Sequence, residues 1–257
     1  MALSPSQYAR NLRFQLGLSG PVDVMAVAHT LSVPVYEEEL DRFEGCLLWV
    51  GGNARILVRA SIPYETRKNF TIAHEFGHFY MPHHKRNTFS CTAEDIARYC
   101  GNSAYENEAN EFAAEFLLPR SELERRLVST PDIAVIREIS AEYGTSLTST
   151  AIRVVETTCE PVAVVLSELS KVRWVVRSRS FPFRVKKGAL HEWTYAIDHF
   201  SGKELPGDPQ HVVATAWCDG VSRENLLIEE SVAFGRLGMV MTLLRVPADD
   251  DVCGNRW

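Results

Sequence analysis

No two of the six cysteines stand in a C-x-x-C pair; Cys46, Cys91, Cys100, Cys159, Cys218 and Cys253 are scattered along 257 residues. That scatter argues against a paired-cysteine framework and predicts free thiols in a reducing compartment. No apolar run is long enough to span a membrane. The first ten residues lack a basic region followed by an apolar stretch, so no secretory signal is expected and the chain is placed in the cytoplasm. Basic residues are not in excess either: the net charge of −6 argues against the whole protein being a nucleic-acid binder. Internal repeats and low-complexity tracts are also missing. What remains is an ordinary hydrophobic share, 46%, in a length that fits one large domain or two modest ones.

Histidine is concentrated where other features are sparse. Four of the eight histidines, His74, His78, His83 and His84, fall within a few residues. The segment His74-Glu75-Phe76-Gly77-His78 reads H-E-x-x-H. On an α-helix, two histidines four apart project from one side, so both imidazoles can reach one metal ion. Glu75 lies roughly 100° further round, where it can touch a water on that ion without being a ligand. The frame supports a helix: Tyr64 to Ala73 contains no Gly or Pro, Glu65 suits the helix start, and Phe70, Ala73 and Phe76-Gly77 repeat at 3- and 4-residue spacing. Pro82 ends it, since the residue before a proline avoids the α region. Gly77 weakens the helix, and its small size would let another element approach closely.

Along the chain, residues 4–18 and 22–31 read as helices, and Val33–Tyr36 as a strand start. Residues 46–50 and 55–58 form a β-hairpin about Gly51-Gly52-Asn53. A polar stretch covers 83–104. An amphipathic helix runs from about Tyr105 to Leu118 and is closed by Pro119, with further helices at about 121–129 and 132–155, the latter broken at Gly144. Beyond Cys159-Glu160-Pro161, β-branched runs at 162–166, 172–176, 212–217, 226–228 and 239–246 predict a sheet-rich domain, with a helix near Ser222–Asn225 and a mobile tail from Asp249. The expected fold class is α+β, divided into a domain at 1–130, a helical segment at 131–158 that could pass for a helix-turn-helix, and a smaller sheet-rich domain at 159–257.

A hydrolytic zinc site needs three protein ligands and one open position. The 105–118 helix is the natural source of the third, but Glu106 and Glu108 flank its apolar stripe on opposite sides. Helical geometry leaves the two tied, and Glu111 and Glu115 lie further round. Arg67 to His78 (RKNFTIAHEFGH), followed about thirty positions later by Glu108 to Pro119 (EANEFAAEFLLP), resembles the ImmA/IrrE family of metallo-endopeptidases. The resemblance covers roughly residues 20–155. It implies a zincin-like metallopeptidase domain with a helical extension and a Zn²⁺ cofactor. The implied ligands are His74, His78 and Glu108, the glutamate before Ala109-Asn110, with Glu106 in reserve; Glu75 is the implied general base. It also implies a cytoplasmic endopeptidase that cuts a specific regulatory protein, a repressor of the helix-turn-helix type, to switch genes on under stress or in a mobile element. The alternative is an antitoxin-like regulatory protein that binds through this fold and hydrolyses little or nothing. For the C-terminal domain, some radiation-response IrrE proteins carry a sensor-like domain at this place, so a sensor or partner-binding role is expected by analogy.

Other signals are weaker. Tyr80, His83, His84 and Tyr105 are candidates for stabilising the oxyanion. His83, His84, Cys91 and Cys100 fit no standard structural zinc spacing, and a loop at the rim of the site is expected instead. Between 120 and 155, Arg120, Arg125, Arg126, Arg137 and Arg153 balance Glu122, Glu124, Asp132, Glu138 and Glu142. That balance argues against direct nucleic-acid binding. Lys171 to Lys187 holds seven basic residues and no acidic one. In a regular strand Lys171, Arg173, Arg177 and Arg179 would share one face, and Val172, Trp174 and Val176 the other.

Overall fold

The computed structural model describes residues 3–84, 88–91 and 104–248. The expected mobile tail from Asp249, part of the polar stretch 83–104 and Cys100 lie outside them. Two compact units form, Met1–Glu122 with Glu138–Ser149, and Leu123–Arg137 with Thr150–Trp257. Within the segment 131–158, residues 138–149 fall in the first unit and the rest in the second.

The first unit begins with helix α1 (Pro5–Gln15), which starts at a capping box: the Ser4 hydroxyl accepts from the Gln7 N–H, and the Gln7 side chain accepts from the Ser4 N–H. Helix α2 (Val24–Thr30) is capped by Asp23, whose carboxylate accepts from the N–H groups of Met25 and Ala26. Strands β1 (Val35–Glu38), β2 (Gly45–Val50) and β3 (Asn53–Arg59) follow. The β2–β3 turn needs Gly51 and Gly52, which both take positive φ, 59° and 84°, as a two-residue hairpin turn requires. Helix α3 (Glu65–Tyr80) carries the histidine motif and stops at Met81, whose extended ψ of 115° is set by Pro82. Strand β4 (Thr88–Cys91) completes a sheet of order β1-β3-β2-β4, in which only the β1–β3 pair is parallel.

Helix α4 (Ala104–Leu117) packs on α3 and α1. The approach to α3 depends on Gly77: a Cβ there would lie 3.2 Å from Ala109 Cα and 3.2 Å from Phe112 Cβ. Ala73, Phe76, Phe112, Ala113 and Phe116 close the core between the helices. The buried Arg13 guanidinium donates to the Phe116 carbonyl at 2.7 Å, supplying a donor to the last turn of α4. Helices α5 (Arg120–Arg126), α6 (Ile133–Tyr143) and α7 (Leu147–Thr157) follow. Gly144 at φ 60° and the Thr145 N–H to Ser140 carbonyl bond of 3.1 Å end α6 in a left-handed C-terminal cap.

The second unit is built on a six-stranded antiparallel sheet. Its strands are β5 (Val162–Glu168), β6 (Lys171–Arg177), β8 (Gly188–Ala189), β9 (Gln210–Val213), β11 (Leu226–Phe234) and β12 (Met239–Arg245), in the order β8-β6-β5-β12-β11-β9. Strands β7 (Arg184–Val185) and β10 (Cys218–Asp219) pair separately. The helix expected near Ser222–Asn225 is a turn closed by the Asn225 side chain accepting from the Ser222 N–H. A short helix, α8 (Tyr195–Phe200), forms instead. Buried Glu229 joins these parts, accepting from Ala196 N–H and from Trp217 Nε1–H, each at 2.7 Å. Burial pushes its carboxyl pKa up, against the pull of those donors.

The basic strand also differs from expectation. A register shift at Leu166/Ser167 interrupts the β5–β6 pairing, so Val172 and Val175 both pack into one core cluster. Strict alternation would have put them on opposite faces. Arg173 pairs with Glu168 at 3.2 Å and Arg177 donates to the Phe183 carbonyl, so the continuous basic face does not form. The architecture is α+β. No helix among the described residues is long and apolar enough to cross a membrane, and Cys46, Cys159 and Cys218 form no disulfide.

Candidate metal centre

Helix α3 presents His74 and His78 on one side, their Nε2 atoms 3.1 Å apart. The carboxylate that meets them comes from Glu106 on α4, with Oε2 3.1 Å from His74 Nε2 and Oε1 3.5 Å from His78 Nε2. The carboxylate expected there was that of Glu108. It lies instead against His84 Nε2 at 2.8 Å and His83 Nε2 at 2.5 Å. The reason is rotational: two residues along a helix are about 200° round it, so the face that turns Glu106 to α3 turns Glu108 away. Asn110, one turn after Glu106, shares the Glu106 face and puts Oδ1 2.9 Å from His74 Nδ1. Glu106 and Asn110 thus hold the two nitrogens of one imidazole. This i, i+4 pairing was the sequence signal that could have broken the tie.

The centre is deeply buried: His74 and Glu75 are fully enclosed, and His78, His84 and Asn110 are at most 2% exposed. Glu75 lodges where β2 begins, and the absence of a side chain at Gly45 makes the room. A Cβ at Gly45 would lie 2.7 Å from Glu75 Oε1 and 2.5 Å from Thr71 Cγ2. The neighbouring Glu44 carboxylate accepts from Arg67 Nε at 2.7 Å, tying the start of β2 to α3.

The electrostatics favour a cation. Burial opposes a charge on His74, but Glu106, Glu75 and Asn110 outweigh it and raise its pKa. Burial, with His74 and His84 adding to it, pushes His78 down to about 4 against the pull of Glu106. Burial alone would raise the pKa of Glu106; hydrogen bonds from both imidazoles hold it well below the usual carboxylate range. A cation would replace the protons shared with Glu106: with Nδ1–H of His74 donating to Asn110, its Nε2 would then offer a lone pair to the same point as Glu106. Separations of 3.1 to 3.5 Å match the roughly 3.3 Å edges of a tetrahedron drawn from bonds of about 2.0–2.1 Å. His74, His78 and Glu106 therefore fit a divalent ion, and His83, His84 and Glu108 form a second His-His-Glu group.

Residues 29–155 match the model of the IrrE N-terminal-like domain, Peptidase_M78. The chain carries an ImmA/IrrE-family metallopeptidase domain. The IrrE-like match begins in α2, ends in α7, and contains both histidine groups and α4. No curated protein matches the chain in sequence. Among solved structures, the chain is similar to a Mycobacterium tuberculosis transcriptional regulator, with TM-score 0.58 and 13% identity over 94% of this chain and 75% of that one. At that identity the likeness concerns the fold, and it reaches beyond the IrrE-like region into the second unit.

Of the oxyanion candidates, the Tyr80 hydroxyl donates to Gln15 at 2.7 Å, and His84 is buried between His78 and Glu108. Tyr105 packs edge-on against His84, with ring centroids 4.8 Å apart, and His83 is the most accessible of the four histidines. The side chain of Cys91, like Cys100, lies outside what is described.

Proposed function

We propose that this chain is a zinc-dependent, zincin-like endopeptidase of the cytoplasm, with His74, His78 and Glu106 as the metal ligands and Glu75 as the general base. The convergence of two imidazole nitrogens and one carboxylate on a single buried point carries the reading. The zinc, when bound, supplies a Lewis acid that polarises the scissile carbonyl and lowers the pKa of water. Glu75 takes the proton of the attacking water and delivers it to the leaving amine, base first and acid second. Asn110 holds His74 with Nε2 turned to the centre. Gly45 leaves the Glu75 carboxylate its place beside the helix.

The substrate class proposed is a regulatory protein, a repressor of the helix-turn-helix type, whose cleavage releases genes in a stress response or a mobile element. A narrow substrate range suits a peptidase sharing a compartment with the rest of the proteome. The second reading, a binding protein with little hydrolysis, draws on the fold likeness to a transcriptional regulator. Co-expression with a candidate helix-turn-helix repressor separates the two on a gel. Cleavage that a chelator abolishes, and that Glu75→Gln abolishes while zinc is retained, supports the peptidase. A stable complex with an intact repressor supports the binding protein.

A further inference from the structure

The two histidine groups have the same composition but different spacing. Around Glu106 the separations are 3.1 to 3.5 Å. Around Glu108 they are 2.5 and 2.8 Å, both to the same oxygen, Oε2. The longer set matches ligands around an ion; in the shorter set the 2.8 Å contact of His84 with Glu108 matches a charge-assisted hydrogen bond. His84 joins the groups, since its Nδ1 lies 2.9 Å from Nδ1 of His78.

With an ion bound and both imidazoles neutral, proton placement along this line has one consistent solution. Two Nδ1 atoms at hydrogen-bond distance require that one carry the proton. If His84 Nδ1 were the donor, neutral His84 would turn a lone pair on Nε2 towards the Glu108 carboxylate, and His78 would carry its proton on Nε2, facing the metal position. If His78 Nδ1 is the donor, His84 accepts at Nδ1 and donates from Nε2 to Glu108, and His78 Nε2 offers its lone pair to the ion. The Glu108 carboxylate facing His84 Nε2, together with the ion facing His78 Nε2, selects the second arrangement.

We propose that His84 and Glu108 are a positioning pair behind His78, a carboxylate–imidazole relay that fixes the tautomer and ring orientation with which His78 meets the metal. The proposal rests on the metal-site reading above. It assigns a role to the turn Pro82–His84, a 3₁₀ segment directly after α3 that returns a buried His84 ring to within 5.0 Å of the His78 ring, centroid to centroid. It also gives the two ligand histidines different anchors: an amide oxygen for His74, and an imidazole backed by a carboxylate for His78. Partners of this kind commonly change metal affinity by about 10- to 100-fold when removed.

The test is zinc affinity of the full chain, measured by competition with a chelator of known affinity. His84→Ala is expected to weaken zinc about 10- to 100-fold. His84→Asn places an amide oxygen near the Nδ1 position and is expected to restore most of the loss, which a purely packing role would not do. His83→Ala is expected to leave zinc affinity unchanged. Long-range ¹H–¹⁵N spectra of the zinc-loaded wild type are expected to show His78 protonated at Nδ1. Wild-type affinity in His84→Ala, or ligation of His78 through Nδ1, overturns the relay while leaving the metal site standing. A second equivalent of zinc that His83→Ala removes overturns it too, by making the Glu108 group a metal site. Failure of the wild type to bind one equivalent of zinc removes the metal-site reading, and the relay with it.

Discussion

Two groups of identical composition, His-His-Glu, form where α3 and the turn after it meet α4, and their glutamates stand two residues apart. The His74–His78–Glu106 group is enclosed between α3 and α4, with its three ligand atoms at ion-coordination spacing. The His83–His84–Glu108 group is more open, with side chains 42% and 34% exposed at His83 and Glu108, and its contacts are hydrogen bonds. Composition therefore does not identify a metal site here. Spacing, and the direction in which lone pairs point, separates the ion's position from the groups that hold the ligands.

The comparison breaks most sharply at the two glutamates. Glu106→Ala is expected to lose stoichiometric zinc and all chelator-sensitive peptidase activity, whereas Glu108→Ala keeps one equivalent with weakened affinity. Next in size is Glu75→Gln, expected to lower kcat by at least about 10²–10⁴-fold with zinc content unchanged, as measured by metal analysis beside a cleavage assay. Loss of zinc in that variant would make Glu75 part of the ligand set.

A smaller effect is expected at Gly45. Gly45→Ala forces a methyl group against Glu75 Oε1 and Thr71, costing about 1–3 kcal/mol of stability and displacing the base, so kcat falls more than zinc affinity does. Denaturant titration and kinetics on the same preparation check both parts.

The smallest expected effect comes from Glu229, a buried carboxylate with no histidine beside it. Its pKa is raised by burial, whereas the pKa values of Glu106 and Glu108 are lowered by their imidazoles. The sign follows from linkage. A raised folded-state pKa means that the folded protein binds the proton more tightly, so this group's contribution is full below the unfolded carboxyl's pKa. It is lost as pH rises through the folded value. Glu229→Gln exchanges one acceptor for an amide NH₂ facing Trp217 or Ala196, a loss of about 1–3 kcal/mol. Urea titrations across pH are expected to show the wild type's advantage shrinking as pH rises through the Glu229 titration.

Much of the first unit was legible in the sequence because its signals are local. Pro82 fixed the end of α3, Gly51-Gly52 the hairpin, and Gly77 the close approach of α4; His74 and His78 met as their spacing required. The third carboxylate was not legible from the apolar stripe, because Glu106 and Glu108 flank it symmetrically. The choice depends on how α4 is rotated against α3, which is a tertiary quantity, and the family resemblance pointed to Glu108, whose carboxylate faces His83 and His84. His84 reads in the sequence as an oxyanion candidate or a residue of a rim loop, because its partner, His78, is reached only through the turn after Pro82. In the second unit the bulge at Leu166/Ser167 has no sequence signature, so the alternation of Lys171 to Arg179 pointed to a basic face that the strand does not keep.

The most direct measurement is zinc content per chain in wild type, Glu106→Ala and Glu108→Ala after dialysis against buffered zinc. The expected result is one equivalent, none and one equivalent. Retention in Glu106→Ala together with loss in Glu108→Ala would contradict the assignment of the buried group as the metal centre.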